Sequence, residues 1–230
     1  MEAVEKQGWR TRWGLDERLA LWMLLCVCGF AWVSLVQCGR AHPFQDRAGG
    51  YTQFLYLVCL ALFLYPLGPL HVLRAVSIDG ARAVGMNLLG YALPFFIGLQ
   101  FFYLQNIDAI NYSLNYRDFA RMGPAGILVF SIGGLLLLGL LGMHLRWAKQ
   151  AGMLPAYLAA IIASVLLLPL VTLLLRDTHY LHIHHWFVGA YFLPYCRFAN
   201  PVSRTAQAIC AGVAVEGVAE WSMAPIWERL

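Results

Sequence analysis

Charged side chains are scarce in this sequence: Asp, Glu, Lys and Arg make up 12% of 230 residues, about half the share found in soluble domains. That scarcity excludes a soluble enzyme and a disordered chain, both of which need a solvated surface. No run of basic residues exists to hold phosphates, and the net charge of +4 is scattered, which excludes a nucleic-acid binder. The six cysteines, Cys26, Cys28, Cys38, Cys59, Cys196 and Cys210, form no CxxC pair and no zinc-knuckle spacing; they read as small apolar residues within hydrophobic runs. Internal repeats and low-complexity tracts are absent as well. What the chain has is oil: 60% hydrophobic residues and a mean hydropathy of +0.64.

The apolar residues gather into seven stretches, approximately 19–37, 52–73, 84–104, 125–145, 154–175, 182–198 and 205–222. Each approaches the ~20 residues that cross ~30 Å of hydrocarbon. The runs are continuous rather than alternating, so they predict helices, not barrel strands. The expected fold is an all-α polytopic transmembrane bundle of about seven spans: a tail over 1–18, a multipass domain over 19–222 and a short C-terminal tail over 223–230. The sixth stretch carries histidines at its start and Pro194 inside it, and either crosses or re-enters. The breaks are polar or turn-forming: 39–50, Ser77–Gly80, 105–123 and Asn200-Pro201 ahead of Ser203, a helix-capping pattern.

Lys and Arg set the expected orientation. With seven spans, one side carries Lys6, Arg10, Arg12, Arg18, Arg74, Arg82, Arg146, Lys149, Arg197 and Arg204, and the other Arg40, Arg47, Arg117, Arg121, Arg176 and Arg229. The excess places the N-terminus in the cytoplasm. Trp9, Trp13, Trp147, Trp186, Trp221 and Trp227 fall near the ends of stretches, as interfacial anchors do.

One constellation carries chemistry. Four of the seven histidines, His179, His182, His184 and His185, lie within seven residues. On a helix His182 and His185 share a face, extended by His179, while His184 points elsewhere. In the last stretch Ala208, Gly212, Glu216 and Glu220 are spaced by four and form one stripe. It begins small and ends acidic, so it faces protein rather than lipid. If stretches six and seven are adjacent and antiparallel, the histidines meet Glu216 and Glu220 at one membrane level. Such a set suits a divalent metal, zinc or iron, with a carboxylate as general base toward a lipid-like substrate. His42, Asp108 and Asn111 belong to loops on that side. The structural alternative is a satisfied His/Glu network or a proton site in an assembly subunit or small transporter. His71 and His144 lie near helix ends, too shallow for a haem.

The run Leu181-His182-Ile183-His184-His185-Trp186, then Arg197-Phe198, Ser203, Gln207, Gly212, Gly217-Val218-Ala219-Glu220-Trp221 and Ile226, resembles the end of the membrane region of LCCL-domain multipass proteins of fungi and protists. The resemblance covers about a fifth of the chain. It implies a multipass domain with a His-rich segment at a helix start, and it assigns no reaction. Membrane di-iron hydroxylases need three histidine boxes and the chain has one; alkaline ceramidases carry a late HxxxH, which this sequence lacks.

Overall fold

The computed structural model describes residues 16–37, 47–107 and 120–230. Helix α1 (Glu17–Trp32) starts at Asp16, whose side chain accepts the Arg18 N–H, and continues as a π turn over Val33–Gln37. Next come α2 (Arg47–Leu64), the short α3 (Pro69–Val72) and α4 (Val76–Asn87). Pro94 has no N–H to give the carbonyl of Gly90, and the backbone widens into a π turn at Leu88–Ala92 just before it. The same rod continues as α5 (Leu93–Gly98) and a 3-10 segment, Leu99–Asn106. Then follow α6 (Pro124–Gln150), α7 (Leu154–Leu175), strand β1 (His179–Leu181), α8 (His185–Phe192), α9 (Pro201–Trp221) and strand β2 (Trp227–Arg229).

The described residues thus form an all-α bundle with one two-stranded ribbon. Five helical rods are long and apolar enough to cross a bilayer: Glu17–Gln37, Gly50–Leu67, Val76–Leu104, Pro124–Gln150 and Leu154–Leu175. The expected sixth stretch contains an eight-residue helix and a 3-10 turn, about 12 Å of α-helix at 1.5 Å per residue.

Helix α9 is the axis of the molecule. It packs against α1, α2, α5 and α8, and it is buried nearly all round. Close approach explains its composition. A Cβ on Gly212 would overlap the backbone of Phe95 and Gly98, and one on Gly189 of α8 would overlap that of Cys210 and Ala214. Its polar residues Ser203, Arg204, Gln207 and Glu216 are buried in protein, where lipid does not meet them. Asn200 caps the helix by accepting the Ser203 N–H at 2.9 Å, and Pro201 occupies its first turn.

Contacts define two ends. At one end Arg18 donates to the Leu70 carbonyl, Arg204 to that of Val72, His144 bonds Ser203, and Tyr157 donates to the Tyr195 carbonyl. At the other, β1 pairs antiparallel with β2 in the register His179↔Arg229, Tyr180↔Glu228, Leu181↔Trp227. Trp227 Nε1 ties this ribbon to Thr172 near the end of α7 at 3.0 Å. In contrast to α9, α6 and α7 stand largely clear of the core. None of the most apolar window of α7 is buried.

Candidate metal centre

The ribbon decides which histidines meet. The helix begins at His185, one turn later than helical spacing from His182 would have it, and the three residues before it are not helical. His182 donates its backbone N–H to the Ile226 carbonyl at 2.8 Å, continuing the ribbon. An extended chain has a period of two, so His182 and His184 lie side by side, ring centroids 4.5 Å apart, and His185 is turned away from them.

The partner of this pair is Glu228. Its Oε1 lies 2.7 Å from His182 Nδ1 and 3.4 Å from His184 Nε2. The Tyr180 hydroxyl donates to Oε2 from the strand position opposite. His182, His184 and Glu228 each offer one ligand atom, and the three atoms lie within 4.8 Å of one another. All three side chains are half-buried and lie outside the membrane-length helices. The Tyr180 hydrogen bond, with that of His182, holds the Glu228 carboxyl below its usual range. Burial, then the neighbouring His182, holds the His184 imidazole below its usual value, against the pull of Glu228. Both shifts favour the forms that bind a metal: ionised carboxylate and neutral imidazole.

His185 belongs to a second, deeper group. Its Nε2 lies 3.3 Å from Oε2 of Glu216, which is fully buried on α9. The side chain of Glu220, one turn further on, contacts Glu216. Phe101 closes one side edge-on, ring centroid 5.3 Å from that of His185. Gly217 makes this contact possible, since a Cβ there would overlap His185 and the Trp186 backbone.

The sequence-predicted residues therefore divide. His182 and His184 join Glu228; His185 joins Glu216 and Glu220. His179 stands on β1 with its Nδ1 on the neighbouring Thr178 hydroxyl at 2.7 Å and is in neither group. His42, Asp108 and Asn111 lie outside the described residues. Glu228, in the segment read as a tail, was missed, and only the register Tyr180↔Glu228 brings it in. The alternation Trp227-Glu228-Arg229 is too short to announce a strand. His144 engages both ring nitrogens, Nδ1 with the Leu140 carbonyl at 2.7 Å and Nε2 with Ser203 at 3.0 Å. No family model, no curated protein and no solved structure matches this chain.

Proposed function

We propose that this multipass protein holds a divalent metal, zinc or iron, at His182, His184 and Glu228 on the exoplasmic face, and acts there on a lipid-like substrate. The observation that carries the reading is convergence: ligand atoms from segments 46 residues apart in sequence meet across the ribbon. Two imidazoles and one carboxylate are a three-ligand set of the kind that leaves a catalytic zinc an open position. A metal so held supplies Lewis acidity and an activated water. The chain's own residues do the rest: Tyr180 orients Glu228, and Glu216 with Glu220 offers a buried carboxyl pair behind His185 for proton transfer.

Seven crossings and an exoplasmic site are supported by two observations. The described rods alternate between the two ends, with α8 running along α9 from the ribbon end to the His144 end. The end opposite the ribbon holds Arg18, Arg74, Arg197 and Arg204, from the richer Lys/Arg set. The partial likeness to LCCL-domain membrane regions agrees with a His-rich segment preceding a helix.

The 2.7 Å His182–Glu228 hydrogen bond also favours a second reading, a structural network in a non-enzymatic assembly subunit or small transporter. Metal analysis separates the two. Purified protein should carry about one zinc or iron per chain. His182→Ala with His184→Ala, and separately Glu228→Gln, should abolish it. Glu216→Gln should keep the metal and lose turnover. A well-folded, metal-free wild type overturns the first reading.

A further inference from the structure

At the end of the bundle opposite the ribbon is a cavity of about 210 Å³, lined among others by Arg18, His71, Arg74, Asp79 and Arg204, many times the ~10–15 Å³ that one water needs. Its charge is unbalanced in one place. Arg18 pairs with Asp16 at 2.9 Å and Arg74 with Asp79 at 2.9 Å. Glu17 accepts the Ser77 N–H at 3.0 Å. Arg204 is 2% exposed, and none of the ion pairs among the described residues includes it. Its Nε donates to the Val72 carbonyl at 3.1 Å, while its buried Nη2 has no hydrogen-bond partner among the described residues. A second cation, Arg74, lines the same cavity, and its Nε–H has no hydrogen-bond partner among the described residues.

Burying a guanidinium without a counter-charge is strongly unfavourable, and the surroundings are built around it. Gly90 leaves room for the arginine stem: a Cβ there would lie 3.2 Å from Arg204 Cδ. Asn87 clamps the Arg74 backbone with both ends of its amide, accepting from the N–H at 3.1 Å and donating to the carbonyl at 2.8 Å. Arg197 approaches from the rim, donating to His71 Nε2 at 2.6 Å. What the described residues do not supply to Arg204 is an ion-paired anion.

We propose that this cavity binds a phosphate-bearing anion, with Arg204 as its buried ligand and Arg74 as the second arm. A planar guanidinium with free N–H groups matches phosphate geometry. A phosphate can arrive on a lipid headgroup, because the cavity lies at the ends of membrane-length helices, or as the free ion.

The test uses thermal melts of the full chain with two probes. One is inorganic phosphate in detergent, against chloride at equal ionic strength. The other is phosphatidylcholine nanodiscs with and without phosphatidic acid. The expected result is a saturable rise in melting temperature that Arg204→Met abolishes. Stabilisation by phosphatidic acid over phosphatidylcholine alone identifies the anionic lipid headgroup as the source, by inorganic phosphate alone the free ion, and by both the phosphate group whatever its carrier. Should Arg204→Met fail to fold, Arg74→Gln at the half-exposed arm serves, with apparent affinity at least ~10-fold weaker. Absence of stabilisation by either probe overturns the proposal, as does equal stabilisation of wild type and the folded variants.

Discussion

Glu228 is reached by three side chains, Tyr180, His182 and His184, and its protonation governs what it can hold. Metal affinity, measured against a competing chelator, should be level near neutrality. It should fall as pH drops through the imidazole range near ~6.5, with His184 protonating later than an ordinary histidine because its value is lowered. In metal-free protein the sign follows from the depressed carboxyl. Glu228 adds stability above its unfolded value of ~4.3, and that contribution is lost as pH falls through the lower folded value. Thermal melts across this window should show it in wild type and lose it in Glu228→Gln. The sequence made the histidines and Glu216 legible because such groups are rare in an apolar chain. It could not make Glu228 legible, since that residue enters through strand pairing and not through helical spacing.

Glycines in two helices behave oppositely. In α9, Gly212 lies against the α5 backbone, whereas Gly139 in α6 has open space where a Cβ would go. Gly212→Ala should therefore destabilise the bundle by about 1–3 kcal/mol through overpacking. Gly139→Ala should stabilise it by up to about 1 kcal/mol through helix propensity. Chemical denaturation in one detergent checks both. Hydropathy marked the five long rods because their outer surfaces are apolar. It underrates α9, whose Arg204, Gln207 and Glu216 are sheltered by neighbours; there the spacing of Ala208, Gly212 and Glu216 was the better guide. The histidine run is harder to read, since helical periodicity does not hold at His182, which the Ile226 carbonyl keeps in a ribbon.

At the scale of the whole molecule, apolar surface is distributed unevenly. The core lies among α1, α2, α5, α8 and α9, while α6 and α7 turn Leu135, Leu136, Leu138, Leu166 and Leu174 outward. In a bilayer, a charge on that surface faces hydrocarbon. Leu136→Lys should raise the apparent insertion free energy of α6 by about 3 kcal/mol, readable as a fall in the fraction of α6 that inserts in a glycosylation-reporter assay. The central position of α9 also has a biosynthetic consequence. The rod against which α1, α2 and α5 close leaves the ribosome after all of them, and it is the one least able to enter lipid by itself. Until it arrives, the faces of α1 and α5 that carry Gly29 and Gly98 have no covering rod, so closing them is the last step in assembling the core.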